Sequence, residues 1–530
     1  MKRSKALAPW LAILLVAALV RLPTLTAGFP YLNYVDEGHV LHHVIHHLDR
    51  GTWEPDTYSY PTLPFYIVTA AALAWSPVYA AVHGRALRDD LSPMPSIYYD
   101  IVLPTDLLIL GRLVTLAFSL GLVLLTGLYA RRLAGPAAGF FAAWTAALLP
   151  ALVARSVIVN INPMVALFVL AAFYFAEEAR DGDRPWRGAA LAGVMIGLAT
   201  VTKYPSALVC LPVTLAILLG RRPFRDRFRQ LVLAGGASLL AAVVCMPALV
   251  LRTNDVRHSL GHMSSVYEHQ GIGSYWDQAV LRAEWDLPLN HPELGIPFLL
   301  LIAAGVAVAL ADRRWRKTAL GWLLFAAATA VLLAPYNFRA FRNLLPLIPL
   351  AVVAAALLYA RLREIVPQPH AADVAAVLLP LTLFYPALDQ YIRHQATLVD
   401  TREQALEWIA RNTGPKDRIL VSAELTFLPT RLDTLEAETV VHRWDRALSR
   451  ILKRRFNYVV LGEVTARDGS RMIPVPVRDL ILARYEPQAE FGLSPTHAAR
   501  GGFRGNGQRI YVLKRKPPVR KTRTTRTSTD

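Results

Sequence analysis

At 530 residues, 54% of them hydrophobic, the chain carries more apolar mass than one or two soluble domains need. Its formal net charge of +18 is spread largely over short clusters between apolar runs, "ARRLAG" (130–135), "RRPFRDRFR" (221–229), "DRRWRK" (312–317) and "RLRE" (361–364). That pattern argues against a nucleic-acid-binding protein and for a polytopic membrane protein whose basic clusters are cytoplasmic loops.

In chain order, "MKRSK" and the apolar run to Val20 have the charge and length of a secretory signal. So many apolar runs follow that the segment reads as an uncleaved first span. Candidate runs lie near 6–26, 61–83, 104–130, 137–157, 163–178, 187–203, 204–220, 229–251, 293–311, 318–336, 343–360 and 372–391, each near the roughly 20 residues a span needs. The two cysteines, Cys210 and Cys245, fall inside such runs and indicate neither a disulfide framework nor a metal site.

If every run crossed from an inside N-terminus, the clusters at 131–132 and 221–229 would lie outside, against the positive-inside bias. One non-crossing run repairs all four clusters together. The segment 61–83 is expected to be that run, because Pro61, Pro64 and Pro77 interrupt it and a Trp/Tyr-rich segment precedes it. The reading leaves about eleven spans, makes 27–103 a long first outer loop with juxtamembrane helices, and puts Asp36, Asn162, Lys203, the loop 252–292, Arg339 and Arg342 on the outer face.

Beyond 391 the character changes. "TREQALEWIARNTG" has helical periodicity and a Gly stop, while "RILVSAEL", "FNYVVLGEV" and "QRIYVLKR" read as short buried strands. The expected fold class is therefore mainly α. It combines a transmembrane catalytic domain (1–391), a small α/β domain outside the membrane (392–515) and a basic disordered tail (516–530).

The stretch "YLNYVDEGHVLHHVIHHL" (31–48) follows the first apolar run. His39, His42, His43, His46 and His47 recur on one helical face, and Val40, Leu41, Val44, Ile45 and Leu48 make the other. Asp36 and Glu37 stand at the helix N-terminus, where negative charge is favoured. Three readings are open from the pattern: an acidic helix cap with a wetted histidine face, a metal site using His39, His43 and Asp36, or a catalytic carboxylate at the membrane surface.

The acidic pair in "YVDEGH", with Arg21 in "RLP" ahead of it, resembles the GT-C membrane glycosyltransferases of the protein O-mannosyltransferase and lipid A aminoarabinose transferase type. The resemblance continues through "YSYPTLPFY" (58–66), "LGRLVTLAFSLGLVLLTGLYARRLAG" (110–135), "GLATVTKYPSALVCLP" (197–212) and "FRAFRNLLPLIPLA" (338–351).

It implies inverting transfer of a sugar from a polyprenyl-phosphate-linked donor to a lipid, glycan or protein acceptor, at the outer face of the plasma (inner) membrane. Asp36 then corresponds to the catalytic carboxylate, able to take the acceptor's proton, and Glu37 orients the helix or bonds a sugar hydroxyl. Lys203, Arg339, Arg342 and Arg112 are the candidate cations for the donor phosphate; Lys203, Arg339 and Arg342 have snorkelling to the interface as the alternative, and Arg112 a structural role. Tyr60, Asn162 and His39 are candidate substrate contacts.

Two positions depart from the family pattern. Tyr60 stands before "PTLP" where many relatives carry lysine, and "VIVNINPMV" has Asn160 and Asn162 where relatives place a second aspartate. An amide can bond a sugar but cannot act as a base. The resemblance assigns no metal ligand and no certain cofactor, and leaves a divalent cation open because some relatives use one. The rival function is a transporter or flippase of a polar or lipid-linked substrate, which predicts an internal repeat that the sequence lacks.

Overall fold

The computed structural model describes residues 2–29, 31–32, 35–91, 104–267, 294–334, 341–396, 400–422, 432–442, 456–462, 481, 483–491 and 510–516. These residues form two compact units. The first is made of Met1–Ala27, His39–Pro93 and Val102–Thr397; the second takes in Gly28–Gly38 and Leu398–Asp530.

The first unit is helical. It contains α1 (Lys2–Arg21), α2 (Val35–Arg50, whose first turn belongs to the second unit), α3 (Leu63–His83), α4 (Asp106–Leu148), α5 (Pro150–Val153), α6 (Asn162–Asp181) and α7 (Pro185–Thr200). There follow α8 (Cys210–Leu218), α9 (Phe224–Cys245), α10 (Ala248–Leu251), α11 (Thr253–Tyr267), α12 (Ile296–Ala311), α13 (Arg316–Leu333), α14 (Ile348–Ile365) and α15 (Pro369–Ala396). Short 3₁₀ stretches, Tyr204–Val209 and Phe341–Leu347, lead into α8 and α14.

All twelve apolar runs expected from the sequence carry helix. Eight described helical segments are long and apolar enough to cross a membrane. One of them, α4, bends at Ala134–Gly135 ahead of Pro136 into two arms, as the two separate apolar runs suggested. Three shorter helices, α7, α8 with its 3₁₀ lead-in, and α12, run alongside the long ones.

The four basic clusters meet at one end of this bundle. Trp315 Nε1 donates to the Leu133 carbonyl (3.0 Å), Lys317 Nζ to the Leu219 carbonyl (2.7 Å), and Arg314 pairs with Glu364 (2.8 Å). Arg132 pairs with Glu178 at the C-terminal end of α6 (2.5 Å). Beside it a buried network joins Glu177 to Arg180, Thr318 and Tyr129. The start of α6 lies about 22 Å away, from a rise of roughly 1.5 Å per residue.

At that second end α3 both begins and finishes. Leu63 N donates to the Val201 carbonyl just beyond α7 (3.2 Å), and His83 Nε2 meets Asp106 at the start of α4 (3.0 Å). The prolines do not break α3 as expected from the sequence. Pro64 sits in the first turn, where its missing N–H is not needed, and Pro77 is accommodated inside a continuous 21-residue helix.

Arg21 shows how the bundle handles charge. Fully buried, it donates to the carbonyls of Ala17 (2.9 Å) and Ala147 (2.8 Å), the second of which has no intrahelical partner at the end of α4.

The second unit contains α16 (Thr401–Asn412), capped by Asp400, and the strands β1 (Arg418–Ser422), β2 (Glu438–His442), β3 (Tyr458–Gly462), β4 (Tyr485–Phe491) and β5 (Ile510–Arg515). Sheet order is β2-β1-β3-β5-β4, with β1 parallel to β2 and β3, and β5 antiparallel to β3 and β4. Ala405, Leu406 and Ile409 of α16 cover one face, packing on Ile419, Val421 and Val460. Leu420, Val459 and Leu513 form a second core with Phe456 and Tyr485 on the other. The sequence reading found β1, β3 and β5 and missed the edge strands β2 and β4; β4 carries Pro487, two glutamates and a bulge, so alternation is weak there. The expected tail lies outside the described residues from 517 onward.

Helices α7 and α9 cross in close contact. A Cβ at Gly193 would stand 2.2 Å from the Ala234 carbonyl oxygen, and one at Gly197 would stand 2.4 Å from that of Ser238. Gly193→Ala should therefore destabilise the bundle by about 1–3 kcal/mol. The Gly235→Ala control, where nothing lies within 4 Å, should not. Thermal unfolding in detergent checks the pair.

Candidate active site

The end of the bundle away from the basic clusters gathers several of the residues singled out in the sequence. Lys203 follows α7 in extended conformation, held there by backbone bonding to Ala199 and by Ser206, whose hydroxyl donates to the carbonyls of Ala199 and Lys203 (both 2.6 Å). Its ammonium donates to Asn162 Oδ1 at the start of α6 (3.1 Å) and to Asn343 Oδ1 (2.8 Å). Asn343 belongs to the 3₁₀ turn ahead of α14 and adjoins the half-buried Arg342. One cation is thus shared by amides from two remote segments, with a second cation next in the chain.

Asn160 has a different task. Its Oδ1 accepts from the Asn162 backbone (2.9 Å) and side chain (3.1 Å), while Nδ2 donates to the carbonyls of Arg155 and Ile158. It builds the turn that presents Asn162 to Lys203.

The loop before α3 borders this cluster. Tyr204 donates its hydroxyl proton to the Tyr58 carbonyl (3.0 Å), and Thr62 Oγ1 donates to the Cys245 carbonyl (3.1 Å). Tyr60, on the same loop, lies against His39 with ring centroids 4.5 Å apart. A small cleft opens nearby between α2, α3, α4 and the start of α6, lined by Val40, Pro64, Val114, Phe118, Val159 and Asn160.

The histidine stripe is drier than its periodicity implied. His43 and His47 are buried because α3 covers them: His43 stacks near Phe65 (4.3 Å), and His47 bonds Thr69 Oγ1 (3.0 Å). Amphipathic spacing identified two faces but could not show that both would be packed. His42 and His46 turn instead toward a carboxylate, each meeting one oxygen of Asp56 (2.8 and 2.9 Å). Burial, helped by the neighbouring histidines, pushes His39 and His47 down to about 4 and His43 well below the ordinary range. These three rings are neutral at pH 7 and add no positive charge beside Lys203. Among the described residues no group of three or more His, Cys, Asp or Glu side chains is arranged to hold a metal ion.

Arg112 lies in the first arm of α4. It is fully buried and donates to the carbonyls of Leu25 (2.7 Å) and Ala27 (3.0 Å), where the chain leaves α1. Arg339 lies outside the described residues. In the second unit, Asp36 and Glu37 occupy the first turn of α2; Glu37 is fully buried, and the Asp36 side chain is outside the described set. Asn343 and Tyr204 were not selected from the sequence, although both sit in quoted motifs, "FRAFRNLLP" and "TKYP". An amide and a tyrosine in apolar runs carry no periodic signal.

A helical bundle with this chain path and a small appended α/β sheet has the GT-C glycosyltransferase fold. The chain is similar in structure to ArnT from Cupriavidus metallidurans in the apo state, at a TM-score of 0.52 and 12% identity over 97% of this chain and 98% of that one. It is similar to the archaeal oligosaccharyltransferase AglB from Archaeoglobus fulgidus in complex with an inhibitory peptide and a dolichol-phosphate, at 0.50 and 13% over 94% and 81%. The apo form of the Archaeoglobus fulgidus oligosaccharyltransferase gives 0.51 and 13% over 94% and 74%. Residues 106–251, which include Arg112, Asn162 and Lys203, match the profile of the family described as Dolichyl-phosphate-mannose-protein mannosyltransferase. No protein of curated function matches the chain by sequence. The GT-C resemblance read from the motifs is thus borne out, and the multi-pass membrane character with it.

The histidine packing carries a pH dependence with a definite sign. His39, His43 and His47 bind protons more weakly folded than unfolded, so their contribution is fully present above about pH 6.5 and is lost as pH falls toward about 4. The melting temperature in detergent should fall over that interval. Replacing His43 and His47 together by Gln should flatten the fall relative to wild type, which a melting series across pH checks.

Proposed function

We propose that the chain is an inverting glycosyltransferase that moves a sugar from a polyprenyl-phosphate-linked donor to a lipid, glycan or protein acceptor at the outer face of the plasma (inner) membrane. The observation that carries the reading is the Lys203 ammonium held by Asn162 and Asn343 beside Arg342, at the bundle end remote from every basic cluster. The two amides fix the ammonium in place, and a lipid phosphate is the anion that a donor of this class brings to such a cation. Dolichol-phosphate in AglB is consistent with this choice of ligand.

In the proposed reaction Asp36 takes the proton from the acceptor hydroxyl as its oxygen attacks the anomeric carbon. The bond from that carbon to the phosphate oxygen breaks on the opposite side. Polyprenyl phosphate leaves with the electron pair, and Lys203 and Arg342 stabilise its charge. Glu37, buried at the α2 N-terminus, is assigned to orienting the helix. Tyr60, His39 and Asn162 border the sugar. Arg112, turned to the 25 and 27 carbonyls, supports the exit of the chain from α1; Arg339 is retained as a further phosphate cation from its motif alone.

Residues 1–391 form the membrane catalytic domain in this reading, with 27–103 as its first outer loop, 392–515 as an outer α/β domain and 516–530 as a basic tail. The meeting of all four basic clusters at one bundle end, with both ends of α3 at the other, supports this orientation. Cysteines introduced at positions 95 and 450 should react with an impermeant reagent in intact cells; labelling only after permeabilisation would reverse the assignment.

Asp36→Asn should lower sugar transfer by roughly 10²-fold or more while donor affinity changes little. Lys203→Ala and Arg342→Ala should weaken donor binding in folded protein. Transfer and donor binding measured with purified enzyme and a polyprenyl-phosphate sugar check both. A fully active Asp36→Asn enzyme would remove this residue from the chemistry.

A further inference from the structure

The second unit contains a buried ion pair at the N-terminus of α16. Asp400 caps α16 by accepting from the Arg402 backbone N–H (2.8 Å), and it also takes the Arg402 side chain in a two-pronged pair, Nε to Oδ1 and Nη2 to Oδ2 (both 2.9 Å). Both side chains are almost wholly removed from solvent, at 1% and 0% exposure for Arg402 and Asp400. One turn further along, α16 docks on the sheet through Ala405, Leu406 and Ile409.

What the guanidinium meets is the ring of Tyr31, whose centroid lies 3.7 Å from Cζ. Tyr31 is itself fully buried, followed by the buried Leu32, and its backbone N–H bonds the Gly28 carbonyl (3.0 Å). Asp36 stands a few positions further along the same short segment. An isolated buried ion pair is seldom the best way to stabilise a fold, because desolvation offsets its attraction. It does fix a guanidinium plane. With one edge locked on Asp400, the flat face is pre-set to receive an aromatic ring, and the cation–π attraction strengthens out of water. Lysine cannot serve both partners in this way, since its ammonium is a point charge without a plane.

We infer that Asp400, Arg402 and Tyr31 form a clamp by which the C-terminal α/β unit positions the segment bearing the catalytic carboxylate, making Arg402 and Tyr31 positioning residues for sugar transfer. The inference rests on the proposed role of Asp36. A carboxylate displaced by about 1 Å loses as much as roughly 10²-fold in rate, so the effect belongs in kcat. The donor phosphate cations lie in the other unit and do not depend on the clamp.

The test uses the full-length purified enzyme with Tyr31→Leu, Tyr31→Phe, Arg402→Lys and, as reference, Asp36→Asn. Tyr31→Leu and Arg402→Lys should lower kcat by about 10- to 10²-fold with donor KM within about twofold of wild type. Tyr31→Phe keeps the ring and should stay within about twofold of wild type. Amide hydrogen exchange over 28–38 should speed up in Tyr31→Leu and Arg402→Lys, while β1 and β3 exchange as in wild type. Wild-type kcat and exchange in Tyr31→Leu, with Asp36→Asn inactive, would overturn the clamp and leave the base assignment intact. If Asp36→Asn is fully active, the base assignment fails instead and exchange over 28–38 decides the clamp alone: faster supports it, unchanged overturns it. Should Arg402→Lys fail to fold, Tyr31→Leu decides, because it leaves the Asp400–Arg402 pair in place.

Discussion

Hydrocarbon offers no hydrogen bonds, so every polar group inside the helical unit must find its partner in protein, and the bundle is arranged around that demand. Arg21 directs its donors to the carbonyls of Ala17 and Ala147, and Arg112 to those of Leu25 and Ala27. Glu177 is answered by Arg180, Thr318 and Tyr129. In each case the partner is a fixed acceptor or an opposite charge, and the result is a closed knot that ties helices together.

Lys203 is tied to two remote segments, the start of α6 and the 3₁₀ turn ahead of α14, through the side-chain amides of Asn162 and Asn343. At the opposite bundle end, by contrast, Arg314 meets Asp312 and Glu364, and Arg132 meets Glu178. Carboxylates there hold Arg314 above its ordinary value, and Arg314 in turn holds Asp312 below its own.

The membrane architecture was legible in the sequence because hydropathy is a long, redundant signal. Even the bend in α4 showed as a gap between two apolar runs, and all twelve runs carry helix, eight described segments being long and apolar enough to cross a membrane. Shorter signals failed where packing overrides pattern. Pro77 was taken to break α3, yet a single proline inside a packed helix removes only one internal bond. A wetted histidine face is one reading the pattern leaves open, because periodicity reports two faces and not what covers them; Phe65 and Thr69 of α3 cover His43 and His47. Edge strands β2 and β4 escaped because one is short and the other carries a proline and a bulge. Lys203 and Asn162 were legible from motifs, whereas Asn343 needed coordinates to show that a remote turn supplies the second amide.

The acidic segment also clarifies why the C-terminal sheet belongs to the same protein. Residues 28–38 pack as part of the sheet-bearing unit although they leave α1 and continue directly into α2. The chain thus passes from one unit to the other and back within a single short stretch, and Asp36 lies on that passage. A carboxylate carried by a free loop after a membrane span would sample many positions, and ordering it would draw on binding energy at every turnover. Under the proposed roles, anchoring it through Tyr31 on a guanidinium already fixed by Asp400 would move that ordering into the folding of the sheet-bearing unit. The sheet would then contribute to the chemistry without supplying a group that touches the sugar, and the phosphate would be left to the cations proposed in the helical unit.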